Sequence, residues 1–211
     1  MHKGVASGDI VPLFCGSAEN SYGMQAFLKG LVDLCPSPTE AAGESAQRTG
    51  MEEEVHLSAS DDETFSALIY KTALEPHIGE MSHFRVVSGS VANGQEVKNG
   101  ERGTVEKLNH LSIPMGKERF EVAKLHAGDL GVVAKLKGAH TNDTLCDMSR
   151  PVILEKIAFP KPEIAMAILG EGRSDEDKLG EVLPKLHEED PTFVAEFDPE
   201  LHQTIARGMG E

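Results

Sequence analysis

The sequence predicts a multidomain, mainly β protein whose centre is a closed antiparallel barrel of about six strands. Three observations point there. Between 63 and 160, short β-type runs recur at regular spacing, with Gly, Asn and Asp between them. Ahead of them stand a strand-like run and a helix-like run, ended by Pro36-Ser37-Pro38. After Pro160-Lys161-Pro162 the texture becomes strand, helix, strand, strand. The expected organisation is the edge of a preceding domain over 1–38, an acidic linker over 39–62, the barrel over 63–160, and a third unit over 161–211.

Each element has its own justification. Residues 9–15, DIVPLFC, form an apolar run that reads as a buried strand ending in the turn Gly16-Ser17-Ala18. Met24, Phe27, Leu28, Leu31, Val32 and Cys35 then fall at helical intervals. One strand and one helix bury little alone, so 1–38 is expected to border a domain that lies upstream. Residues 39–62 are small, polar and acidic, the composition of an exposed linker or mobile loop.

From Thr64 the runs 65–72 and 81–90 read as strands joined through Pro76 and Gly79. Asn93-Gly94 between two further β-type runs is a strong hairpin signal. Strands are expected around 103–108, 119–125, 130–136 and 152–159. In the last unit, strands are expected over 163–169, 193–197 and 203–207. Ser174 and Asp177 have capping-box spacing ahead of a helical face formed by Leu179, Val182, Leu183 and Leu186. Pro184 lies inside that helix and is expected to kink it. This β-α-β-β pattern is three-quarters of a ferredoxin-like unit, and Gly208-Met209-Gly210-Glu211 stands where the next helix should begin.

Composition narrows the function classes. The formal net charge of −15 argues against a protein held to nucleic acid by a general basic surface, while leaving room for a few local contacts. Trp is absent, so there is no sign of a stacking platform for bare bases. The three cysteines, Cys15, Cys35 and Cys146, make no CxxC pair and suggest neither a zinc knuckle nor a disulfide framework. With no apolar signal-peptide core and no membrane-length apolar run, the expectation is a cytoplasmic monomer with no membrane or DNA partner.

Three stretches resemble the elongation factor G family of ribosomal translocation GTPases. DIVPLFCGSAENSYGMQAFLKGLVDLCPSP (9–38) is similar to the end of its GTP domain. ALIYKTALEPHIGEMSHFRVVSGSVANGQEV (67–97) and HAGDLGVVAKLKGAHTNDTLCD (126–147) are similar to the opening and close of its second domain. EEDPTFVAEFDPELHQTIARGMGE (188–211) is similar to its third domain. The resemblance implies a six-stranded antiparallel translation-factor β-barrel, flanked by a strand–helix remnant of an α/β GTP domain and an incomplete ferredoxin-like β-α-β-β unit. The chain departs from the family in its short loop Lys98–Arg102, in the segment 108–122 and at Pro184. Those departures leave open a related ribosome-protection, release or recycling GTPase, and the lack of a phosphate-cradling loop leaves open a non-enzymatic ribosome-binding module.

The resemblance also implies a site. Gly16, Ser17 and Ala18 match the family's last guanine-contacting turn, where backbone amides, Ala18's foremost, donate to the guanine oxygen. As a bare pattern Gly-Ser-Ala is an ordinary strand-to-helix turn. The phosphate-cradling GxxxxGK[ST] loop does not occur in the chain. The expectation is therefore GTP or GDP with Mg2+ in the parent protein, no tight nucleotide binding by this chain, and no catalytic or metal-ligating residues within it. The implied partner is the ribosome, through small-subunit rRNA and ribosomal proteins. Arg85 is read equally as a contact to the GTP domain or rRNA and as a strand arginine whose stem covers apolar surface. Lys98, Arg102, Lys107, Lys117, Arg119, Lys135 and Lys137 are read as rRNA contacts or, with greater weight, as solvated barrel surface. His77 and His83 are read as packing or surface histidines ahead of metal ligands. Asp190-Pro191-Thr192 is expected to set a turn, and 51–54 with 61–63 to form a solvated acidic loop.

Overall fold

A computed structural model describes residues 1–41, 43–170 and 172–210. Helix α1 (His2–Ala6) and helix α2 (Met24–Leu34) lead to a 3-10 turn at Pro38–Glu40. Strands β1 (Glu44–Arg48) and β2 (Glu54–Leu57) follow. The central body comprises β3 (Ser66–Glu75), β4 (Gly79–Ser88), β5 (Ser90–Ala92), β6 (Glu96–Asn99), β7 (Val105–Lys107), β8 (Ser112–Met115), β9 (Glu118–Glu121), β10 (Lys124–His126), β11 (Leu130–Ala134) and β12 (Thr144–Cys146). Then come β13 (Val152–Leu154), β14 (Ile164–Ile168), helix α3 (Arg173–Glu189), β15 (Val194–Asp198) and β16 (Gln203–Gly208).

The long hairpin β3–β4 is the spine of the central body. Its alternating residues put Ala67, Ile69, Phe84 and Val86 on one side, all fully buried. Around it runs one antiparallel sheet in the order β7-β6-β12-β3-β4-β11-β8-β9, and the ribbon β5–β10 sits beside it. Residues from both ends of that sheet and from the ribbon meet in a single apolar cluster that includes Val91, Val97, Leu108, Leu111 and Leu125. A sheet whose strands share one core from both sides has curled on itself around that core, with β7 and β9 as its two end strands.

The barrel differs from expectation in detail. It is built from ten strands rather than about six, eight of them only three to five residues long, because turns at 93–95, 109–111 and 122–123 break the runs. Asn93-Gly94 does form a turn, with Gln95 N–H donating to Ala92 O at 3.1 Å. Its flanking strands do not pair with each other. β5 joins β10, while β6 joins β7 and β12. The turn's own amides explain the divergence: Asn93 N–H bonds Ala123 O and Gly94 N–H bonds Leu108 O. The turn is thus a barrel corner rather than a hairpin tip.

Two expectations near the N-terminus are corrected. The expected linker 39–62 contains β1 and β2, which form a three-stranded antiparallel sheet with β13 in the order β13-β1-β2. Ala46, Leu57, Val152 and Leu154 face Val87 and Cys146 on the outer side of the barrel, in a second apolar cluster. A few inward apolar residues in an otherwise acidic stretch suffice to anchor a strand pair against an existing surface. Residues 9–15 form no strand, because a parallel-sheet strand needs neighbours and the described residues offer none. Val11 and Leu13 stay exposed, and the segment is tied to α2 by Phe14, whose ring meets Phe27 edge-on at 5.4 Å.

The third unit is a three-stranded antiparallel sheet in the order β14-β16-β15, with α3 against it through buried Leu183. Helix α3 runs through Pro184 without interruption. Its N-cap is Gly172 and no side-chain cap bond forms, so the expected Ser174/Asp177 capping box is replaced by backbone bonds from Asp175 and Glu176 to Gly172 O. No helix among the described residues is long and apolar enough to cross a membrane.

Candidate functional site

The turn at Gly16-Ser17-Ala18 is closed by Ser17 and Tyr22, which exchange two backbone hydrogen bonds at 3.0 Å each. Ser17 Oγ accepts from Asn20 N at 3.3 Å and from Asn20 Nδ2 at 3.1 Å, which fixes the loop between them. Glycine is required at 16, since a Cβ there would lie 2.7 Å from Tyr22 O. Ala18 is exposed, and among the described residues its amide has no backbone acceptor. A free N–H flanked by small side chains can donate to one flat acceptor edge.

The segment bearing this turn is seated on the barrel at its far end. Ser37 and Glu40 form a capping box around the 3-10 turn, with Ser37 N–H donating to Glu40 Oε2 at 2.8 Å. His2 Nε2 adds a contact to Glu40 Oε1 at 3.0 Å. The Ser37 amide, with help from His2, holds the Glu40 carboxyl down at about 2. Pro38 lies on Gly128 of the β10–β11 turn. Arg85 is exposed on β4 and lines a cleft of about 60 Å3 with Pro38, Glu44 and Leu57, so it stands where the N-terminal segment meets the barrel.

The barrel's other basic side chains divide sharply. Arg102 is spent on structure: its Nε donates to Asp143 Oδ2 at 2.7 Å. The same oxygen accepts from Asn99 Nδ2 at 2.8 Å and His140 N at 3.0 Å. Glu101 takes Thr144 N and Oγ1 at 2.7 and 3.0 Å, and burial beside Asp143 pushes its pKa up. The short loop 98–102 is therefore folded down into a half-buried network. Arg119 Nη1 pairs with Glu75 Oε2 at 2.7 Å. Lys117 sits at the exposed β8–β9 turn, and Lys98 on β6. Lys107 and Lys135 make no ion pair among the described residues. His77 lies at the tip of the β3–β4 hairpin. His83 sits in the strand beside Tyr70, ring centroids 6.2 Å apart, and burial with the Lys71 charge lowers its pKa.

Sequence reasoning missed the contact between the barrel and the third unit. Glu189 Oε1 accepts Leu74 N–H at 2.7 Å, and Glu188 Oε2 meets His140 Nδ1 at 2.7 Å. Two carboxylates in the last turn of a helix oppose its macrodipole, a sign that they answer partners elsewhere.

Residues 64–148 match the family model described as Elongation factor G domain 2, and residues 159–211 match that of Elongation Factor G, domain III. A solved structure from Thermus thermophilus superposes on all of this chain with a TM-score of 0.78 at 30% identity. The chain belongs to the elongation-factor-G-like proteins. It spans 29% of the length of that Thermus protein. Within an elongation-factor-G-like chain, Glu188 and Glu189 link domain III directly to domain 2. The turn at Gly16–Ala18 lies outside both matched regions.

Proposed function

We propose that this chain is part of a ribosome-dependent translation GTPase that promotes translocation during protein elongation. The observation that carries the reading is the succession of elongation factor G domains 2 and III in direct contact through Glu188 and Glu189. Two units joined at a small polar contact can be rearranged by a partner, which is what a mechanical factor requires. GTP, bound with Mg2+, would be the hydrolysed substrate, and this chain, which has no GxxxxGK[ST] loop, would contribute no phosphate cradle. The exposed Ala18 amide, beside Gly16 and Ser17, fits a donor to the guanine oxygen. The barrel holds this turn through Pro38 and passes displacement to the third unit through Leu74 and His140. Ribosomal RNA and proteins are the partners.

A second reading has one observation in its favour. The loop 98–102 is tied down by Asn99, Glu101 and Arg102 rather than extended. That suits a relative with another ribosomal task, such as ribosome protection, release or recycling. Translocation by the full-length protein in a purified translation system separates the two. Single-codon movement dependent on GTP supports the first reading. Ribosome-stimulated hydrolysis without movement supports the second.

A further inference from the structure

In the segment 108–122, where the chain departs from the family, the barrel's interior face runs out into the open along the hairpin β8–β9. Val122 N–H donates to Leu111 O at 2.9 Å; Leu111 is fully buried in the apolar core and Val122 packs against it. Strand alternation puts Ile113, Met115 and Phe120 on that same face, with Ile113 directly opposite Phe120. Yet these three are 39, 62 and 46% exposed. The cause is that β8 parts from its inner neighbour, pairing with β11 only at Ser112 and Val132. Pro114, two residues on, has no N–H to offer β11. Beyond Ser112 the hairpin therefore carries apolar side chains that nothing among the described residues covers.

The outer edge of β9 is open as well. β9 ends the eight-stranded sheet and pairs with β8 alone. Opposed residues in an antiparallel pair alternate between hydrogen-bonded and non-bonded. The bonded pair Leu111/Val122 sets the phase: Ile113/Phe120 and Met115/Glu118 are bonded, while Ser112/Glu121 and Pro114/Arg119 are not. The N–H and C=O groups of Arg119 and Glu121 consequently point away from β8, and they have no backbone partner among the described residues. The other end strand, β7, is only three residues long and ends in Lys107, the ordinary guards against a further strand.

On β9 the charges act in the opposite sense. Arg119 and Glu121 lie on one face, either side of Phe120. A second β9, turned antiparallel about a two-fold axis through Phe120, would set Glu121 of the second copy opposite Arg119, and Arg119 of the second copy opposite Glu121. The two Phe120 rings would face each other between them. These charged positions are the ones whose backbone groups face outward, so one register satisfies hydrogen bonding and charge together. An axis through Arg119 or Glu121 would instead oppose like charges. Both side chains have capacity left: Arg119 meets Glu75 through Nη1, and Glu121 takes Asn93 and His110 on Oε1.

We propose that the outer edge of β9 is a self-association edge, on which a second copy of this chain adds its own β9 in antiparallel pairing about a two-fold axis at Phe120. The surface is self-complementary, as a two-fold contact requires. Phe120, Ile113 and Met115 of both copies then lie on one face of a continuous sheet and shield one another from water. Only four residues per copy pair, so the interface is small and the dimer weak. The dilute chain is the expected monomer, and the dimer grows with concentration.

The test is sedimentation equilibrium of the chain over a concentration series carried to its solubility limit, with circular dichroism to check that each variant is folded. The wild type should show a monomer–dimer equilibrium. Glu121→Arg sets arginines opposite each other, and Arg119→Glu sets glutamates opposite each other. Each alone should associate about tenfold more weakly, and an equimolar mixture of the two should recover the loss as a heterodimer. Mixing cannot rescue a variant that has merely lost its fold. Phe120→Ser, at an exposed position that leaves both charges in place, should also weaken association. Met166→Lys, on the outer strand β14 of the third unit, is the control and should change nothing. A wild-type chain that stays monomeric throughout overturns the proposal. So does a mixture no better than its components, or an association that Met166→Lys abolishes and Glu121→Arg leaves intact.

Discussion

Pro38 closes directly over Gly128: a Cβ built on that glycine would lie 2.5 Å from Pro38 Cγ and 2.7 Å from Pro38 Cβ. Gly128 also has φ +96, which a side chain would strain. The exit of the N-terminal segment and the β10–β11 turn therefore need a glycine here. Gly128→Ala should lower stability by about 2 kcal/mol, from strain and overpacking together. Gly138→Ala, where nothing lies within 4 Å, is the matched control. Urea unfolding of both variants checks this, and an equal effect at the two positions would remove the Pro38 contact from the account.

Asp143 should be the most sensitive polar residue of the barrel. It is 5% exposed and one of its oxygens collects Asn99, Arg102 and the His140 amide. Asp143→Ala leaves those donors stranded and should cost about 3 kcal/mol, read from the urea midpoint. The loop 98–102 should then become open to proteolysis ahead of global unfolding.

The pair Glu188 and Glu189 should govern orientation more than stability. Partly exposed ion pairs contribute under about 1 kcal/mol, so a Glu188→Gln/Glu189→Gln variant should unfold near the wild-type midpoint. Its distribution of distances between spin labels at Lys117 and Glu200 should broaden. An unchanged distribution would mean that these two carboxylates do not set the orientation of the third unit.

Glu40 provides a pH test. Its carboxyl is held down from 4.5 to about 2, chiefly by the Ser37 amide and then by His2. A lowered folded-state value stabilises the 3-10 turn at pH above the unfolded value of 4.5. That contribution is lost as pH falls from 4.5 through about 2. NMR titration should place the Glu40 midpoint well below the other glutamates, and His2→Ala should raise it part of the way back.

Much of the fold was legible because local pattern and burial agree. The runs 65–72 and 81–90, joined through Pro76 and Gly79, do form the paired strands β3 and β4. Helix α3 reads from Leu179, Val182, Leu183 and Leu186 despite Pro184. Segment 44–57 was not legible. Its strands exist because Ala46 and Leu57 find an apolar patch supplied by Val87, Cys146 and Leu154, and no local pattern encodes that surface. Residues 9–15 failed in the opposite sense, since their apolar run lacks the neighbours a strand requires. Asn93-Gly94 fixed a turn but not the pairing of its flanks, which long-range bonds to Ala123 and Leu108 decide.

The functional positions were less legible than the fold. Gly16-Ser17-Ala18 is too short and ordinary a pattern to mean anything outside its flanking resemblance. The seven barrel cations look alike in sequence. Their different fates follow from distant partners: Asp143 for Arg102, Glu75 for Arg119, and none for Lys107 and Lys135 among the described residues.

The central claim is that this chain belongs to a GTPase acting on the ribosome. The most direct measurement is GTP hydrolysis by the full-length protein with and without ribosomes, with co-sedimentation on the same samples and this 211-residue chain as control. The predicted result is hydrolysis stimulated by ribosomes in the full-length protein, co-sedimentation with them, and no hydrolysis by the chain alone. Hydrolysis by the full-length protein that ribosomes leave unchanged, with no co-sedimentation, would contradict the claim.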